Sequence, residues 1–88
     1  MIVLHASCPL KNIDRIYIIN WGHTLFEDVF LRVQWGRRTN KKLCEKTYFF
    51  ETINQLERTL KSILRKRFTS YKRLGVSYRL IKNEGIKL

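Results

Sequence analysis

From Val29 to Gln34 the chain alternates residue by residue. Val29, Leu31 and Val33 fall on one side of an extended backbone, and Phe30, Arg32 and Gln34 on the other. A period of two marks a β-strand with one buried face, and the strand predicted here covers residues 26–35. Residues 13–20 (IDRIYIIN) are rich in β-branched and aromatic side chains and predict the strand before it, the two being joined through Trp21 to Leu25. A loop from Gly36 to Lys42 holds the turn formers Gly, Thr and Asn. It leads into LCEKTYFF, whose Tyr48, Phe49 and Phe50 suit a third strand of an antiparallel meander.

The period then changes. Ile53, Leu56, Leu60, Ile63 or Leu64, and Phe68 recur at spacings of three and four, which predicts a helix over 53–68 with one apolar stripe. Thr52, with Gln55 three residues on, reads as a capping box and sets its start. Gly75 breaks the chain, and VSYRLI alternates again, as a last strand returning to the sheet would. Pro9 marks a bend near the N-terminus, and residues 83–88 read as a flexible tail behind a single domain of residues 1–82. The expected class is α+β, a twisted antiparallel sheet of four or so strands with one main helix packed across it.

Charge changes the picture. Eighteen Lys and Arg stand against seven Asp and Glu, a formal net charge of +11. That is more than solubility requires and points to a polyanionic partner. The excess leans toward the C-terminal half, where Arg58, Lys61, Arg65, Lys66, Arg67, Lys72 and Arg73 follow one another with no carboxylate between Glu57 and Glu84. With 44% apolar and 12% aromatic residues, the charge sits on a packed core and not on a disordered basic tail. Cys8 and Cys44 form no Cys-x-x-Cys pair, so the expectation is two reduced thiols, with neither a metal nor another cofactor. No apolar run reaches the length of a membrane span and the start lacks a basic leader. The protein is therefore expected to be cytoplasmic and unprocessed.

Catalysis finds little footing. His5 and His23 are the only near-neutral bases, and the adjacent Glu27 and Asp28 alternate to opposite sides of a strand. Attention falls instead on VQWGRRTNKK, where Trp35 and Gly36 precede Arg37, Arg38, Lys41 and Lys42 with no acid among them. An indole can stack on any base for about 1 to 3 kcal/mol without reading sequence. Guanidinium groups can fork onto phosphate oxygens, and glycine lets a second backbone approach. By strand parity, however, Trp35 shares a face with Leu31 and Val33 and could equally belong to the core.

The order strand, strand, Trp-Gly-Arg, basic loop, strand, capped helix, basic helix end (LRKRFTSY) and closing strand resembles the WGR domain, over about residues 10–81. KNIDRIYII and TLFEDVFLRVQWGRR are similar to the family's first two strands. Members occur in DNA-damage-responsive poly(ADP-ribose) polymerases and as small bacterial proteins that are little more than the domain. The chain departs from the pattern at Thr39 and Asn40, where members usually carry glycine. The left-handed tolerance of Asn40 keeps a turn open there.

The resemblance implies non-catalytic, sequence-independent binding of DNA, particularly at nicks and 5′-phosphorylated ends. The polymerase activity of larger relatives lies in a separate domain. The residues expected to touch nucleic acid are Trp35, Gly36, Arg37, Arg38, Lys41 and Lys42, with Arg65, Lys66, Tyr71, Lys72 and Arg73 from the helix end. Asn12 stands where the family places a polar residue near DNA. Tyr78 is expected to pack in the core. Two other partners remain open: single-stranded nucleic acid or RNA, and an acidic protein on which the domain would dock as an adaptor.

Overall fold

A computed structural model of the chain describes residues 1–25, 28–69, 75–76 and 78–83. Five strands form one antiparallel sheet: β1 (Ile2–Cys8), β2 (Ile13–His23), β3 (Val29–Arg37), β4 (Cys44–Phe50) and β5 (Arg79–Asn83), in the order β4-β3-β2-β1-β5. One helix, α1 (Ile53–Phe68), packs across it. The α+β expectation holds, with one strand more than anticipated.

The additional strand is β1. It lies between β2 and β5, and its alternate residues Ile2, Leu4 and Ala6 are completely buried. The closing strand therefore returns to the N-terminal strand and not to the meander. A single 3-10 turn at Pro9–Lys11 reverses the chain from β1 into β2 and ends at Asn12, whose left-handed backbone (φ 53, ψ 41) closes it with an N–H donated to the Pro9 carbonyl. The expected bend at Pro9 is this turn.

The sheet's buried face reads directly from register. Ile2 pairs with Ile19, Ile19 with Val33, Trp21 with Leu31, and Leu31 with Tyr48. Against this face α1 sets Leu56, Leu60 and Leu64, all buried. The helix begins where the capping box was expected: Gln55 N–H donates to Thr52 Oγ1 at 3.3 Å and the Thr52 N–H reaches Gln55 Oε1 at 3.4 Å. The apolar stripe is shorter than its sequence suggests, since Ile53 and Phe68 are 47% and 39% exposed. On the other face Val3, Ile16 and Ile18 are only half-buried and Phe49 is exposed.

Strand limits differ from expectation: β3 begins only at Val29 and β5 only at Arg79, so that Val76 and Tyr78 precede the last strand, and three strands run on past their expected ends. β2 continues to His23, so that the β2–β3 connection is short and closes with the Thr24 N–H donated to the Asp28 carbonyl at 2.8 Å. β3 continues through Gly36 and Arg37, which moves the Trp-Gly-Arg triplet out of the loop and into the ladder. β5 takes in Asn83, a residue expected in the tail. Residues 84–88 lie outside the described residues.

Because β1 sits inside the sheet, Leu4→Ala should cost about 2 to 5 kcal/mol, the range for truncating a buried leucine. A urea midpoint close to that of the unaltered chain would show that β1 does not contribute to the core.

Candidate nucleic-acid interface

Antiparallel pairing of β2 with β3 sets Tyr17 opposite Trp35 and Arg15 opposite Arg37. All four odd positions lie on the helix side of the sheet, beyond the end of the leucine stripe. Trp35 keeps strand parity. Its ring stacks on Tyr17, with centroids 6.1 Å apart and planes 22° from parallel, and it packs against the core while staying half-exposed. The indole thus makes the core contact that parity predicts, and it also lines a cleft.

That cleft, of about 310 Å³, is walled by Trp35, Ile13 and Tyr78 and edged by Asn12, Gly36 and three arginines: Arg15, Arg37 and Arg67. No carboxylate lines it among the described residues. Arg37 is steered by Asn12, donating from Nη1 to the Asn12 carbonyl at 3.1 Å and from Nη2 to Oδ1 at 3.2 Å. A guanidinium has five N–H donors, so three remain for a ligand. Asn12 thus belongs to the cleft, and the contact it makes is with Arg37.

Arg67 is held by aromatic faces. Its guanidinium lies 5.0 Å from the Tyr17 centroid and 5.9 Å from that of Tyr78, and the two tyrosines meet edge to face at 6.2 Å. Each cation–π contact is worth about 0.5 to 2 kcal/mol. Its Nε is buried without a hydrogen-bond partner among the described residues. Burial also pushes the Tyr17 phenol above its ordinary pKa, although Arg67 opposes this; the phenol stays neutral. Tyr78 is 5% exposed, in keeping with the expected core role, and contributes a wall of the cleft.

The basic loop does not act as one unit. Arg38 turns toward the opposite side of the sheet, where its Nε stands 3.7 Å from Asp14 Oδ2, and Asp14 Oδ1 lies 2.7 Å from His5 Nε2. The run of cations after Trp35 is therefore relieved by an acid that lies 24 positions upstream of Arg38 in the chain. The loop turns through a bond from the Asn40 N–H to the Arg37 carbonyl at 3.0 Å. Asn40 does not adopt the left-handed backbone suggested for it: Asn12 is the one non-glycine residue with positive φ among the described residues. Lys41 and Lys42 are exposed and do not line the cleft.

Gly36 has a local reason to be glycine. At φ 155 a side chain is disfavoured, and a Cβ would come within 3.1 Å of Leu43 Cδ2. This accounts for the residue without a ligand backbone. Arg65 and Lys66 are exposed on the last turn of α1, away from the cleft, next to the cap made by Thr69 Oγ1 on the Arg65 carbonyl at 2.9 Å. Tyr71, Lys72 and Arg73 lie outside the described residues.

Sequence reasoning missed Arg15 and Arg67 as cleft residues, and signals for both existed. Arg15 shares parity with Tyr17 and Ile19, a charge at the end of a core-facing row. Arg67 follows Leu64 by three, which continues the inward stripe, although its apolar neighbour Phe68, four after Leu64, competes for the same place.

Set against known proteins, the chain matches no family model, no curated protein and no solved structure. Likeness to the WGR domain thus rests on the residues alone. Among the described residues no helix is long and apolar enough to cross a membrane.

Asp14 anchors the far side of this region, and the His5 hydrogen bond, followed by Arg38, His5 and Arg37 charges, holds its carboxyl below the ordinary value in spite of some desolvation. A lowered folded pKa means that the stabilisation is present in full above roughly pH 5 and drains away as the pH falls through the lowered value. Asp14→Asn should therefore lower Tm at pH 7, with the difference from the unaltered chain closing on acidification. A pH-independent difference would contradict this linkage.

Proposed function

We propose that the chain is a WGR-like module that binds nucleic acid without catalysis and without reading sequence, favouring DNA nicks and ends. One terminal nucleotide would occupy the cleft beside Trp35. The observation that carries this reading is the cross-strand pair Arg15 and Arg37, joined at the same cleft by Arg67 with no acid lining it among the described residues. Like charges placed directly opposite one another destabilise a sheet. An anion drawn into the cleft reverses that cost, because each guanidinium then faces phosphate oxygens in place of another cation.

The chemistry of the walls supports the same ligand. Trp35, Ile13 and Tyr78 offer flat or apolar surface suited to a sugar or base, and Arg37 is already oriented by Asn12, so little ordering is left to accompany binding. Phosphate neutralisation would supply most of the affinity, with stacking adding about 1 to 3 kcal/mol per base.

Two measurements follow. If four to six phosphates are contacted, the log of the binding constant for nicked duplex should fall against log salt with a slope of about −4 to −5; a flat titration would remove the proposal. Arg15→Gln should weaken binding to nicked duplex by about eightfold at 0.1 M salt, taking one phosphate contact to scale affinity as the −0.9 power of salt. The same change should leave Tm unchanged or raise it, since it relieves the Arg15–Arg37 pair. A lowered Tm with unchanged affinity would make Arg15 a structural residue. Competition with single-stranded DNA and structured RNA in the same titration fixes which nucleic acid is preferred.

A further inference from the structure

A second cleft, of about 560 Å³, opens at the edge formed by β1 and β5, lined by His5, Ser7, Val76, Arg79, Leu80 and Ile81. The β1–β5 ladder beside it is irregular. Val3 pairs with Lys82 and Leu4 with Leu80, so Ile81 is an extra residue on β5, and a bulge of this kind bends and re-aims the strand that carries it.

The polar residues it gathers lie on the sheet face opposite to α1, whereas Leu80, paired with the buried Leu4, belongs to the helix side and Val76 packs against the core, so the cleft wraps the edge of the sheet. His5 and Arg79 are direct cross-strand partners, which sends both side chains out on one face, and Ser7 follows His5 by alternation. Asp14, the partner of Ser7 across the β1–β2 ladder, shares that face, but its carboxylate is occupied by His5 and Arg38. Arg79 has no acidic partner among the described residues. The cleft therefore presents an uncompensated guanidinium and a hydroxyl on one side and the apolar wall of Val76, Leu80 and Ile81 on the other. That composition suits a phosphate with its attached sugar and does not suit a cation.

Its position relates it to the first cleft. Tyr78 walls the Trp35 cleft while Val76 and Arg79, on either side of Tyr78 in the chain, line this one. Ser7 is paired with Asp14, the neighbour of Arg15. Both clefts thus lie toward the same end of the sheet, the first on the helix face and the polar side of the second on the other.

Resting on the nucleic-acid reading above, we infer that the His5–Ser7–Arg79 cleft is a second backbone-phosphate site, which takes a phosphodiester of the same nucleic acid on the face of the sheet away from Trp35. A broken duplex offers a chain end to the first cleft and continuing backbone to the second, so that the end of the sheet is straddled.

The test is fluorescence anisotropy of a labelled nicked duplex between 50 and 300 mM salt, with the full chain, Arg79→Gln, Ser7→Asp and Arg15→Gln. Arg79→Gln should bind about eightfold more weakly at 0.1 M salt and reduce the salt slope by about 0.9, the effect of one lost phosphate contact. Its loss should multiply with that of Arg15→Gln, because separate phosphates are involved. Ser7→Asp, which adds a negative charge at an exposed position, should weaken binding at least as much, and it decides the matter if Arg79→Gln does not fold. Unchanged affinity and slope in Arg79→Gln or Ser7→Asp, beside a weakened Arg15→Gln, would overturn the second site and leave the first standing. No binding by the unaltered chain would overturn both.

Discussion

The register of β2 against β3 is the constraint on which the remainder depends. Side chains alternate with a period of two, so a slip of one residue between these strands would send every side chain to the other face. Trp35 and Arg37 would then leave the cleft, and Phe30, Arg32 and Gln34 would be driven against the helix. Burial of Val29, Leu31 and Val33 prevents this, and the stacked pair Tyr17 and Trp35 is where the same register stops serving the core and begins to serve the cleft. Fold and site are thus set by one alignment.

Electrostatics explains how the excess charge is tolerated. Two residues at the start of β2 and just before it divide the cations after Trp35: Asn12 takes Arg37 to one face through two hydrogen bonds, and Asp14 takes Arg38 to the other. Arg67 is stabilised by tyrosine faces, which attract a cation without cancelling its charge. The positive field at the cleft is consequently preserved while the geometry of each guanidinium is fixed. Where Arg15 and Arg37 stand opposite one another in the ladder, like charges cost some local stability.

Much of the architecture was legible in the sequence because its signals are local. The alternation at Val29–Gln34, the Thr52–Gln55 box and the leucines of α1 each depend on residues within a turn or two of one another. β1 was not read, although Ile2, Leu4 and Ala6 alternate with Val3, His5 and Ser7 as plainly as β3 does; a strand at the start of a chain has no preceding turn to frame it. Asp14 relieving Arg38, and Asn12 steering Arg37 across 25 positions, could not be seen, since both arise from strand pairing and not from spacing. Arg67 is masked in the sequence by its apolar neighbour Phe68, which competes for the same inward helical position, whereas tyrosines at the edge of the core accept an arginine.

The most direct test of the central claim uses the two indoles of the chain. Trp21 and Trp35 both lie on the helix side of the sheet, but only Trp35 lines the cleft. Their indole N–H signals should be followed by NMR as a nicked duplex is added at 0.1 M salt. The account predicts that the Trp35 signal shifts and saturates while that of Trp21 stays in place; binding that leaves the Trp35 signal unmoved would contradict it.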